Sequence, residues 1–482
     1  MLTLSGPVLS VLRTPGQPHE PRRPPSLVPS RERLLDERKT TMSSSPVLSA
    51  RGSRLALLVV GLCWLAVLFD GLDMFIYGSV LPHLLETKTF GLTPDTAGDL
   101  GSYATFGMLV GALTAGTVAD RTGRKNLMVG CVVLFSLASG VCAMAGSVEV
   151  FGLGRTLAGV GLGGLLPTAI SMVCDYAPRG RGALVIGLLM TAHHAGGILS
   201  AYVAKWLVDP VGWRAAFWVC VLPLLFAPVL ARLLPESLSF LLAKGRTDEA
   251  RELATRHDVE LPAATSGKQG AADRWNALKD LFRGGEWTQT LLYWLASFGG
   301  LLLVYGVATW LPTLMRAEGY ALGSALSFVV VFNLGGIVGM LAAGRAADRF
   351  GAPRISAIWF ALTAAGVFLL SVHMPMAVTM VVVFLTGVFL NSAQTMIYAT
   401  VSIRSSAGNR ATAVGWTSGM GRFGAVFGPW LGGQLLASNH GDRGFTAFAL
   451  AGLSSMVFIG IAALRSAKGA SRGAGREVVG AV

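Results

Sequence analysis

The sequence predicts an all-α, polytopic membrane protein: twelve transmembrane helices arranged as two six-helix bundles. Three observations carry that expectation. Only 13% of the 482 residues are charged while 52% are hydrophobic, whereas a soluble domain is about a quarter charged. Apolar runs of about 20 residues, the length that crosses about 30 Å of hydrocarbon, recur along most of the chain. One loop motif also returns at the same place in each half. Together these exclude a soluble enzyme, a disordered protein and a disulfide-rich scaffold.

Residues 1–54 come first, a Pro-, Ser- and Arg-rich tail expected to be disordered and cytoplasmic, in which Met42 offers an alternative start. Six spans follow in a first bundle over 55–234, near 55–81, 97–118, 126–146, 149–173, 183–206 and 213–234. Residues 235–287 carry eight Lys/Arg and nine Asp/Glu, which reads as a polar cytoplasmic connector, helical around Asp248–Arg256. The second bundle, 288–465, holds spans near 288–311, 321–343, 354–373, 377–400, 411–437 and 444–465, and a cytoplasmic tail, 466–482, closes the chain.

The net charge of +13 is not the mark of a nucleic-acid binder. Residues 1–54 supply +5 and residues 465–482 supply +3, and the remaining basic residues cluster in alternate short loops. That asymmetry places both termini and the connector on the cytoplasmic side of the plasma (inner) membrane. The five cysteines lie in apolar stretches without a metal spacing, so neither a metal nor a cofactor is expected. No phosphate-binding glycine loop ending in Lys-Ser/Thr occurs, which leaves an ion gradient as the energy source.

The repeated motif is Gly116-Thr-Val-Ala-Asp120-Arg121-Thr-Gly123-Arg124-Lys125 and Gly344-Arg-Ala-Ala-Asp348-Arg349-Phe-Gly351-Ala-Pro-Arg354. Asp348 follows Asp120 by 228 residues, and Gly387 follows Gly159 by the same interval. A duplicated six-span unit is the plan of a two-bundle transporter with its site at mid-membrane between the halves. The first copy resembles the signature loop of the major facilitator superfamily. That resemblance implies a gating role for Gly116, Asp120, Arg121, Gly123 and Arg124, with Asp348, Arg349 and Gly351 as the weaker second copy, and glycines that let helices approach. Asp70-Gly71-Leu72-Asp73 in the first span is similar to the motif of the aromatic acid:proton symporter branch, as are Arg155-Thr-Leu-Ala-Gly in the fourth span and Asp175 at its end. The branch resemblance implies a monomeric importer, not an enzyme, whose partners are the bilayer, protons and a small aromatic carboxylate such as benzoate, hydroxybenzoate or protocatechuate. A symporter of another organic acid and a proton-driven efflux protein are the rival readings.

The residues themselves point the same way. Asp70 and Asp73 lie one turn apart on one helix face, and a carboxylate at that depth faces a cavity or a partner. Such a group titrates, since burial and neighbouring charge act on its protonation in opposite senses, which suits Asp70 and Asp73 to proton coupling; the branch resemblance adds Asp175. Depth arithmetic puts Asp73 roughly 12 Å from the outer end of its span and Arg155 roughly 9 Å from the outer start of its own, close enough to pair. Arg422 sits near mid-span and needs an anion or a polar cavity, so Arg422 or Arg155 is expected to meet the substrate carboxylate. Aligning Arg181 with Arg410 sets His193 opposite Arg422 across the repeat, as a proton relay or a packing residue, with His194 competing for the cavity. Asn333, Asn391 and Gln394 are mid-span amides suited to substrate recognition or to helix–helix hydrogen bonds. Trp294, Phe298, Tyr305, Trp416 and Phe423 offer aromatic faces, of which Trp294 and Tyr305 are the favoured stacking partners.

Overall fold

The computed structural model describes residues 50–177, 181–257, 261, 279, 281–282, 287–405, 409–438 and 444–479. The N-terminal tail and most of the connector past His257 lie outside the described residues. The helices are α1 (Ala50–Glu86), α2 (Pro94–Thr122), α3 (Arg124–Met144), α4 (Val148–Tyr176), α5 (Gly182–Val211), α6 (Trp213–Val219), α7 (Pro223–Leu233), α8 (Leu238–Ala243) and α9 (Thr247–His257). The second half supplies α10 (Trp287–Ala317), α11 (Leu322–Phe350), α12 (Ala352–Leu369), α13 (Met376–Arg404), α14 (Arg410–Ala437) and α15 (Gly444–Val479).

Eleven of the twelve expected spans are long and apolar enough to cross a membrane among the described residues. The other, α14, has 28 residues, about 42 Å at 1.5 Å per residue. It has the length, but Arg422, Gln434 and seven glycines make it more polar than its neighbours. The sixth span is broken: α6 ends at Val219 and Pro223 opens α7, the two together covering Trp213–Leu233. Proline at a first helical position has no N–H to lose, so the chain turns there and resumes.

Local sequence sets the helix ends. Thr93 and Thr96 form a reciprocal capping box at the start of α2, with Pro94 at the first position. Gly123 ends α2 at φ 94° and Gly351 ends α11 at φ 85°, backbone that residues with a Cβ rarely adopt. The glycine shared by both copies of the motif is therefore a turn residue. The expectation that these glycines bring helices together is corrected, because Gly116 and Gly344 face open space.

The duplication reappears in the packing. In the first half α1 packs on α5, α2 on α4, and α3 on α6 and α7; in the second half α10 packs on α14, α11 on α13, and α12 on α15. Each bundle thus repeats one arrangement of spans. The bundles join through three pairs, α2 with α14, α5 with α11, and α1 with α10. Contacts resolved at atomic detail lie at or beyond mid-height, away from the chain termini. Ser102 donates to the Val426 carbonyl at 2.8 Å, Gly98 lies against Gly433 and Gly101 against Pro429, and Arg316 pairs with Glu86. Toward the termini, Gly116, Gly187, Gly344, Gly415 and Gly419 have no neighbour on another helix. The inter-bundle contacts named here all lie at mid-height or toward the far end.

Candidate functional site

The first bundle buries an ion pair. Asp73 is fully buried and Arg155 is 2% exposed. Arg155 Nη1 donates to Asp73 Oδ1 at 3.0 Å, while Ser139 donates to Oδ2. The guanidinium also lies over the Tyr77 ring, 5.4 Å from its centroid, and Tyr77 is itself anchored by its hydroxyl to the Ala97 carbonyl at 2.6 Å. Both carboxylate oxygens are engaged, and the cation is held through Nη1 while its Nε is buried with no hydrogen-bond partner among the described residues. The pairing expected from depth is present, and Ser139 is the partner that sequence reasoning missed.

One turn earlier, Asp70 has a different environment. Its Oδ2 lies 3.0 Å from His193 Nδ1, but its Oδ1 is buried with no hydrogen-bond partner among the described residues. His193 is the histidine that keeps some exposure, 22% of its side chain. His194 is buried and shares a 3.0 Å hydrogen bond with Asn333 Oδ1 across the bundle interface. Asn333 also donates to the Val329 carbonyl and is fully buried. Of the two roles expected for it, these contacts are those of a helix–helix hydrogen bond.

The second bundle carries the other mid-membrane arginine. Arg422 Nη1 donates to the Tyr305 hydroxyl at 3.0 Å, and no carboxylate pairs with it among the described residues. Tyr305 belongs to the same buried cluster as Phe75 of the first bundle, whose ring lies 5.5 Å from the His193 ring. Phe75 and Tyr305 thus lie between the His193–Asp70 pair of the first bundle and Arg422 of the second. Gln394 donates to the Tyr398 hydroxyl at 2.8 Å and to Ser297 at 3.1 Å. Asn391 reaches the Gly387 carbonyl one turn back at 3.3 Å. Tyr398 escaped the sequence reading, and the one trace of it was its position four residues after Gln394.

Other expected site residues fall elsewhere. Trp294 stacks on Trp416 with centroids 5.8 Å apart and planes 20° apart. It is eleven residues from Tyr305 on α10, about 16 Å along the axis, so the two do not share a level. Asp175 is not beside Asp70. It accepts from Arg124 Nη1 at 3.0 Å and from Ser239 Oγ at 2.7 Å, and it also binds Ser237. Glu236 accepts from the backbone N–H groups of Arg124 and Lys125 at 3.0 and 3.1 Å. Asp175 is thus part of a clamp that ties the first signature loop to the start of the connector, away from the Asp70–His193 pair with which the resemblance groups it. Asp120, Arg121 and Arg349 are exposed, Arg349 lies over Phe350, and the side chain of Asp348 lies outside the described residues. No group of metal-binding side chains occurs among the described residues.

This geometry can be set beside known proteins. Residues 63–352 and 324–480 match the Major Facilitator Superfamily. A benzoate transport protein of Acinetobacter baylyi is 33% identical over 391 residues, covering 79% of this chain and 83% of that protein. A gentisate transporter of Corynebacterium glutamicum is 34% identical, covering 86% and 89%. A 4-hydroxybenzoate transporter of Pseudomonas aeruginosa is 35% identical, covering 78% and 86%. Among solved structures, the xylose transporter XylE from E. coli in a partially occluded inward open conformation superposes with a TM-score of 0.67 at 17% identity, covering 84% of this chain and 97% of that one. With its duplicated bundles and its polar mid-membrane site, the chain is a multi-pass membrane protein that belongs to the major facilitator superfamily.

Proposed function

We propose that this protein imports a small aromatic carboxylate together with protons, by alternating access between the two bundles. The observation that carries the reading is Arg422: a permanent cation at mid-span whose hydrogen bond goes to a neutral phenol. An arginine cannot shed its charge there, and a charge in that position needs an anion or a polar cavity. The transporters of benzoate, gentisate and 4-hydroxybenzoate named above supply the substrate class.

In this reading the substrate carboxylate binds Arg422 while Asp70, held by His193, takes up a proton. Two negative charges in one low-dielectric cavity repel strongly, so an anion entering beside Asp70 is accompanied by a proton. Neutralised, the loaded site lets the bundles rock and close at the near end. The positive loops put that near end, both termini and the connector in the cytoplasm of the cell that carries the protein in its plasma membrane. The Arg124–Asp175 clamp holds the signature loop rigid during the movement.

Reconstitution into proteoliposomes with an imposed acid-outside gradient tests the proposal. Labelled benzoate, 4-hydroxybenzoate or gentisate should accumulate, and a protonophore should abolish the accumulation. Arg422→Ala should weaken acid binding about 10- to 100-fold, the worth of a charge-assisted hydrogen bond, and should level the affinities for an acid and its amide. Absence of gradient-driven uptake for every one of these acids in the wild-type protein would defeat the reading.

A further inference from the structure

Tyr305 and Tyr398 share a feature that no role so far accounts for. Each phenol oxygen accepts a hydrogen bond from a fixed donor, Arg422 for Tyr305 at 3.0 Å and Gln394 for Tyr398 at 2.8 Å. A phenol has one hydrogen to give. Among the described residues, neither hydroxyl gives its hydrogen to a protein atom.

The orientation of Gln394 follows from its surroundings. Its amide nitrogen meets both Tyr398 and Ser297, while its oxygen is buried against the apolar surface at Gly300 with no hydrogen-bond partner among the described residues. Turned the other way, the amide would bury two N–H groups against that apolar surface, and an unmet buried donor costs more than the hydrogen bond it forgoes. The Tyr398 oxygen therefore acts as acceptor, and its hydrogen turns toward the side of α13 that is not filled by Gln394. Tyr398 is half-buried, and Ser297, which shares the Gln394 amide with it, packs against Gly421, the residue before Arg422, so Tyr398 lies on the same side of the bundle as the Arg422–Tyr305 pair.

We propose that Tyr398 is a substrate-contacting residue, and that its hydroxyl, the Tyr305 hydroxyl and the Arg422 guanidinium form a donor-only subsite for the substrate carboxylate. A carboxylate offers about four acceptor sites and no hydrogen, which complements a set of donors. A polyol or an amide brings hydrogens of its own that this set cannot accept. The inference rests on the proposed reading of Arg422 as the anion-holding residue and adds the pair of neutral donors that make the subsite selective for an ionised acid.

The test is binding of benzoate and benzamide to the purified full-length protein in lipid nanodiscs, for the wild type, Tyr398→Phe and Arg422→Ala, with a thermal melt of each. Tyr398→Phe keeps the ring and leaves Gln394 bonded to Ser297, so folding should be preserved. It should weaken benzoate about 10-fold, the low end for a hydrogen bond to a charged group, with little change for benzamide. Equal losses for acid and amide would mean that Tyr398 only packs, and would overturn the inference. An unchanged benzoate affinity alongside a levelled Arg422→Ala would overturn the subsite and leave the reading of Arg422 intact. A wild-type protein that binds neither benzoate nor a hydroxybenzoate would remove both.

Discussion

Two arginines stand inside this membrane protein, one in each bundle, and their surroundings differ in one decisive respect. Arg155 has a carboxylate of its own: Asp73 holds it at 3.0 Å, and Ser139 occupies the other oxygen. Arg422 has only a phenol in contact, at 3.0 Å, with Asp70 some way off in the opposite bundle. A neutralised cation in low dielectric is part of the scaffold, whereas one left to a neutral partner retains its demand for an anion. The presence of a local counter-ion, more than depth in the membrane, separates a structural arginine from one suited to substrate.

The comparison can be broken most severely at the scaffold pair. Asp73→Asn leaves a buried guanidinium without its counter-charge, and should cost about 3–5 kcal/mol of stability, read as a lowered denaturation midpoint in detergent micelles. Adding Arg155→Gln should recover much of that loss, because the unpaired charge goes with it. If Asp73→Asn is as stable as the wild type and loses only gradient-driven accumulation, the first pair is a coupling device and the contrast between the arginines collapses.

Arg422→Lys sharpens the same contrast from the other side. It keeps the charge but loses the planar two-point grip, so acid affinity should drop about 10-fold while the melting temperature stays put. A large drop in stability would mark Arg422 as a second scaffold cation. The smallest effect is expected at the exposed pair between the bundles, Glu86 with Arg316, whose side chains are 47% and 35% exposed. Glu86→Gln should cost at most about 1 kcal/mol, which is about fivefold in an equilibrium constant. The readout is faster labelling of a cysteine placed at Ser102, and an unchanged labelling rate would show that this pair does not hold the far end shut.

The fold was legible because its signals are local and repeated: apolar length, a glycine turn after the second span of each half, and basic residues in alternate loops. Asp73 and Arg155 could be matched because depth along a helix is simple arithmetic. What depth does not give is which way a side chain points. Asn333 and Gln394 looked alike as mid-span amides, yet one is turned into the α5–α11 contact and the other props up Tyr398. Asp175 is assigned from the resemblance alone, and its partners Ser237 and Ser239 arrive from across the sixth span. Tyr398 was passed over because a lone tyrosine in an apolar helix usually marks the membrane interface, and nothing in composition distinguishes that from a phenol braced by a glutamine.

The seam at the far end of the molecule has a kinetic meaning. Where α2 meets α14, Gly98 rests on the backbone of Gly433, and Gly101 rests on Pro429. Interfaces built from long interlocking side chains must pull each chain out of its socket before they can separate, and that sets a high activation barrier. Here the touching surfaces are nearly smooth strips of main chain. Apart from Ser102 and the Arg316–Glu86 pair, such a surface has few side-chain rotamers to reset on separating, so a tight seam of this kind is not a locked one.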